Sequence, residues 1–112
     1  MSLLRSMSKI KIHWTKESRE QWRKTALYIQ HEWGVSALRK FVENTEKIQN
    51  QLMEFSYFGK IEPLLADRSK LYRSIVLSKQ NKIIYYIQDD TIYIVDFWDT
   101  RCEPKKQARK TK

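Results

Sequence analysis

The order of hydrophobic periodicities predicts an α+β fold, β-α-α-β-β-β, with a helical hairpin packed on a small, mostly antiparallel four-stranded sheet. Three observations carry this. Period-two alternation appears near the start, two apolar stripes of helical period fill the middle, and the stretch from Leu71 to Asp99 is rich in Ile, Val, Tyr and Phe. A chain of 112 residues has the size of one domain. The expected organisation is a flexible N-terminus over residues 1–8, one folded domain over 9–101 and a basic tail over 102–112.

"KIKIHW", Lys9 to Trp14, sets Ile10, Ile12 and Trp14 on one face, as a half-buried strand requires. Thr15 then suits a helix N-cap, and Glu17 falls in the first turn, where a carboxylate meets the positive end of the helix dipole. Trp22, Ala26, Ile29 and Trp33 form one stripe, expected to pack in the core, on a helix that Gly34 can end. Ser36 can cap a second helix, on which Leu38, Phe41, Val42, Thr45, Ile48, Leu52 and Phe55 fall on one side. The short "GVS" connection makes the two an antiparallel hairpin. "SYFGKIEPLLADRSK" breaks the period at Gly59 and Pro63 and reads as a long loop. Beyond it, "KQN" and "QDD" divide a β-rich stretch into three meandering strands.

The composition is that of a folded protein: 41% hydrophobic and 12% aromatic, with two glycines and two prolines. A formal net charge of +9 favours an anionic partner. Arg101, Lys105, Lys106, Arg109, Lys110 and Lys112 against Glu103 give the end of the chain +5 and leave the rest a modest +4. Such a run serves either binding or solubility. The single Cys102 forms no internal disulfide and, with only His13 and His31 besides, makes no convincing metal centre; no metal or cofactor is expected. No apolar run approaches the ~20 residues of a membrane span, and a reducing cytoplasm fits best.

Specific stretches add to this pattern: "IHWT" at the strand-to-helix passage, "YIQHEWG" closing the first helix, "PLLADRSKLYRSIV" leading into the meander, "KIIYYI" within it and "IYIVDFWDTRCEP" at its end. In that order and spacing, over about residues 9–107, the chain resembles the RelE/ParE superfamily of toxins from bacterial type II toxin-antitoxin (plasmid stabilisation) modules. The resemblance implies a cytoplasmic, growth-inhibiting toxin neutralised by an acidic antitoxin, with operator DNA reached only through that antitoxin. An acidic amphipathic segment docked on helices and sheet would bury more than about 1,000 Å².

The superfamily's branches imply different targets. RelE-like members cut messenger RNA on the ribosome, and ParE-like members poison DNA gyrase. Metal-free RNA cleavage needs a base for the 2′-hydroxyl, a donor to the leaving oxygen and cations for the phosphate. Arg73, Lys82 and Arg101 match basic positions of the nuclease branch, and Tyr85 or Tyr86 could stack a base or give a proton. Against that, Ile75 stands where a second basic residue is expected, and no Tyr or His follows Arg101. Each candidate also has a structural reading: Arg73 paired with Asp96 or Asp99, Lys82 solvated beside a hairpin loop, and Arg101 bonded to Asp99. Tyr85 and Tyr86 point to opposite faces, so one belongs to the core. The well-formed hairpin and the incomplete nuclease set place gyrase poisoning ahead, with Lys105, Lys106, Arg109 and Lys110 as target- or nucleic-acid-binding residues. The alternatives are a ribosome-dependent endoribonuclease and a non-toxic module that keeps antitoxin binding.

Overall fold

The structure is a computed structural model that describes residues 10–78 and 80–99. The expectations for residues 1–8, Arg101 and the basic tail lie outside those residues. The elements are β1 (Lys11–Trp14), α1 (Lys16–Trp33), α2 (Val35–Glu54), β2 (Lys60–Ile61), a 3-10 turn (Pro63–Leu65), β3 (Arg73–Ser78), β4 (Asn81–Gln88) and β5 (Thr91–Asp99).

Thr15 caps α1 as the sequence predicts, its Oγ1 accepting the Ser18 N–H at 3.2 Å, and Glu17 sits in the first turn. The buried Ser18 hydroxyl donates to the Ile94 carbonyl at 2.8 Å, which fastens the helix start to β5. Gly34, at φ +93°, is the C-cap of α1 and the N-cap of α2. A positive φ at this glycine turns the chain within one residue. Ser36 therefore lies inside the first turn of α2 and does not cap it.

The sheet has five strands in the order β1-β5-β4-β3-β2, with β1 parallel to β5 and the other pairs antiparallel. The added strand, β2, corrects the loop expected between Ser56 and Lys70: Lys60 pairs with Ser74 and Ile61 with Arg73. Gly59 lets the backbone come this close, because a Cβ there would stand 2.7 Å from the Tyr85 ring and 2.9 Å from the Ser74 carbonyl.

Both helices cover one face of the sheet. Ala26, Phe41, Ile48 and Leu52 pack on Ile75, Leu77, Ile83, Tyr85, Ile92, Ile94 and Phe97, with Ile10, Ile12, Trp14, Trp22 and Ile29 partly buried around them. Among the residues of the predicted stripes, two are largely exposed: Trp33 at 69% and Phe55 at 68%. Each stands at its helix's C-terminal end, and periodicity marks a face without marking how far the opposing sheet reaches. On the other face a smaller cluster of Leu65, Tyr72, Ile84 and Trp98 is built between the sheet and the segment after β2. In β5 the register shifts between the Ile94–Tyr85 and Asp96–Ile84 pairs, so Val95 is the extra residue of a bulge.

Candidate functional site

Arg73 and Tyr85 are cross-strand partners and share the helix-facing side of the sheet. Tyr85 is fully buried; its hydroxyl accepts the Gly59 N–H at 2.8 Å and donates to the Ser56 carbonyl at 2.8 Å. Burial pushes its phenol above the ordinary tyrosine range, and neither the Gly59 bond nor the Arg73 charge offsets that. Arg73 donates to the Gly59 carbonyl at 2.8 Å and lies 5.0 Å from the Tyr57 ring centroid. Its guanidinium thus holds the segment between α2 and β2, rather than the ion pair with Asp96 or Asp99 that the sequence suggested. The carboxylate of Asp96 instead accepts the Phe97 N–H at 2.9 Å.

Lys82 lies on the opposite face. It is not the solvated loop lysine of the structural reading: Nζ stands 2.6 Å from Oε1 of Glu62 and 5.0 Å from the Trp98 ring centroid, with 19% of the side chain exposed. Glu62 is buried. Burial alone would raise its carboxyl, but the Lys82 bond and the Leu64 N–H outweigh that and hold it below the ordinary glutamate range. The carboxylate also caps the 3-10 turn, so one buried charge ties β4 to the segment after β2.

The same face carries a row of aromatic rings. His13 meets Tyr93 edge-on at 5.8 Å, Tyr93 stacks on Tyr86 at 5.0 Å, and Tyr86 meets Tyr72 edge-on at 5.7 Å. Lys70 lies 5.0 Å from the Tyr86 centroid. Burial raises the phenols of Tyr72 and Tyr86 above their ordinary range. Two of these ring contacts are edge-on and one is stacked, and together they run as a ridge across the sheet.

Of the four nuclease candidates, Arg73 and Tyr85 come together, Lys82 is separated from them by the sheet, and Arg101 lies outside the described residues. Tyr85 proves to be the core member of the tyrosine pair and Tyr86 the outward one. Sequence reasoning missed Glu62, the close approach of the backbone at Gly59 and the linking of Tyr86 with Tyr72 and Tyr93 in one row. Alternation could have found the row, since Tyr86 and Tyr93 each share parity with outward neighbours. No local signal marks Glu62, which meets its partner only through the fold.

A helical hairpin on one face of a mostly antiparallel sheet is the fold of the RelE/ParE superfamily. Within it, residues 12–104 match the family described as the ParE toxin of type II toxin-antitoxin system, parDE, and the chain belongs to that family. No curated protein matches it. The fold is similar to that of the chromosomal ParDE toxin-antitoxin system from P. aeruginosa, with 13% identity, a TM-score of 0.64 and coverage of 80% of this chain and 95% of the other. It is also similar to the YoeB/ParE toxin from Agrobacterium tumefaciens, with 17% identity, a TM-score of 0.58 and coverage of 80% and 98%. The YoeB dimer from Staphylococcus aureus gives 17%, 0.58, 80% and 95%. Membership implies an antitoxin partner. Among the described residues no helix is long and apolar enough to cross a membrane.

Proposed function

We propose that this protein inhibits growth in the cytoplasm by ParE-like poisoning of DNA gyrase and is held inactive by an acidic antitoxin. One observation supports the choice of target: of the residues that match the nuclease branch, the three among the described residues do not converge on one phosphate-sized space. Arg73 and Tyr85 lie on the helix side and bond to the backbone of the segment before β2, while Lys82 is paired with Glu62 on the other side. A buried phenol with both hydrogen-bonding directions occupied is poorly placed to exchange protons with a ribose, and a lysine paired to a carboxylate is a poor base. The basic residues Lys105, Lys106, Arg109 and Lys110 supply target contacts in this reading.

Induced expression without a partner, followed within minutes by sampling of plasmid topology and total RNA, tests it. Gyrase-dependent DNA breaks with intact messages are expected, and removal of residues 103–112 should weaken the arrest. Rapid message cleavage with intact DNA would overturn the reading in favour of an endoribonuclease. Growth without arrest would leave a module that only binds its antitoxin. That partnership has its own test, since the two proteins should co-elute in gel filtration at micromolar concentration.

A further inference from the structure

The sheet ends unevenly on its β2 side. β2 covers only the first part of β3, because Lys60, opposite Ser74, is its first residue. Just before it the chain comes in from the helix side, where the Gly59 N–H bonds the Tyr85 hydroxyl at 2.8 Å. Bonding direction alternates along an antiparallel strand. The Glu62 N–H donates to the Tyr72 carbonyl at 2.9 Å, so Tyr72, Ser74 and then Val76 turn their N–H and C=O groups to the β2 side. At Val76 no described strand meets those groups, and the side chain is 62% exposed. Beside this open edge runs one flank of α2, on which Lys40, Asn44, Lys47 and Gln51 recur at helical spacing. Lys40 and Asn44 line a groove of about 580 Å³ together with Ser78 of β3. Neither Lys40 nor Lys47 is in an ion pair among the described residues, and the one acidic residue lining the groove is Asp99 of β5.

Free peptide N–H and C=O groups on a strand edge are matched by another extended peptide, whereas a nucleic acid carries no such row. The lysines of the neighbouring flank call for carboxylates. A second copy of the chain would instead bring its own Lys40 and Lys47 to the contact, with a net charge of +9 on each partner. We propose that an acidic, extended segment of the antitoxin adds to this edge as a further strand, in line with β2, its acidic side chains toward Lys40 and Lys47 alternating with apolar ones on the side of Val76. The inference rests on the antitoxin partnership proposed above, and adds to it the place, the backbone conformation and the side-chain alternation of the bound segment.

Amide hydrogen exchange of the purified full chain, alone and mixed with the acidic protein encoded beside it, tests this. The Val76 amide should exchange fast in the free toxin and about tenfold or more slowly in the complex. Val76→Pro removes that donor at an edge position where proline is tolerated, and should weaken association by about tenfold or more in a chain that still folds. Should the proline variant fail to fold, Val76→Glu, which sets a like charge against the acidic segment, takes its place with the same expectation. Lys40→Glu with Lys47→Glu, both exposed on α2, should weaken association by about tenfold at low salt and by less at high salt. Association that leaves the Val76 amide unprotected would overturn the added strand and keep the partnership, whereas no association at micromolar concentration would overturn both. Protection of Val76 in the toxin alone that rises with its concentration would give the edge to a second copy. Protection by a single-stranded oligonucleotide and not by the protein would give it to a nucleic acid, and either result overturns the proposal.

Discussion

The two faces of the sheet are held by different physics. The helix-facing side is a continuous apolar core that draws on both helices and four strands, whereas the opposite side is covered by a short segment and held by a ring ridge and one buried ion pair. Apolar contacts are tolerant of detail, and a buried charge pair is not: it works only with both partners in place. Lys82, a catalytic candidate only under the nuclease reading, pairs with Glu62 and helps to close the thinner side of the fold.

The largest expected effect tests the thick side. Ile83 is fully buried on the helix-facing side of β4, and Ile83→Ala should cost about 2–5 kcal/mol in urea unfolding. Val76, 62% exposed on β3, should lose less than about 0.5 kcal/mol as Val76→Ala. Equal losses at the two positions would break the contrast.

Next comes the thin side. Glu62→Gln leaves the Lys82 ammonium with 19% exposure and no countercharge, and should cost about 1–3 kcal/mol. The pH dependence has a definite sign. Because folding holds the Glu62 carboxyl below its ordinary range, the unfolded chain binds more protons over that interval, so the contribution is complete above the ordinary glutamate range and is lost as pH falls through the folded value. The unfolding midpoint of Glu62→Gln should therefore fall less steeply with acid than that of the natural chain. Replacing both partners, as Glu62→Leu with Lys82→Met, should recover much of the loss, whereas no recovery would mean that the pair contributes more than mutual neutralisation.

The same contrast explains what was legible in the sequence. Periodicity places Ile10, Ile12 and Trp14, the helical stripe through Phe41, Ile48 and Leu52, and the three long strands, because one buried face repeats locally. Thr15 was legible as a cap because its hydroxyl meets an N–H three residues on. Ser36 misled because Gly34, at positive φ, had already turned the chain, and propensity at one position is blind to the dihedral of another. Strand β2 was illegible for a related reason: two residues have no period, and their pairing depends on a glycine fitting between Tyr85 and Ser74. Of the candidate site, the residue types were visible and their convergence was not. Parity along a strand says which side of the sheet a charge faces, but what it meets there depends on segments such as the one from Gly59 to Tyr72, whose path the sequence leaves open.

The smallest expected effects come from a pair of neighbours that isolates the contrast at one atom each. Tyr85 and Tyr86 are adjacent on β4 and differ in the side they face, so deleting either hydroxyl removes the same group from two environments. Tyr85→Phe leaves the Gly59 N–H and the Ser56 carbonyl without their partner next to the core, and a loss of about 1 kcal/mol or more is expected. Tyr86→Phe keeps the ring stack with Tyr93, so its stability should change by less than about 0.5 kcal/mol. Growth arrest separates structure from chemistry in the same variants. If Tyr85 serves only to hold the segment between α2 and β2, toxicity of Tyr85→Phe should follow its folded fraction and recover at lower temperature. Arrest abolished in a fully folded Tyr85→Phe chain would give that hydroxyl a chemical role, and would return the nuclease reading to the helix-facing corner where Arg73 stands beside it.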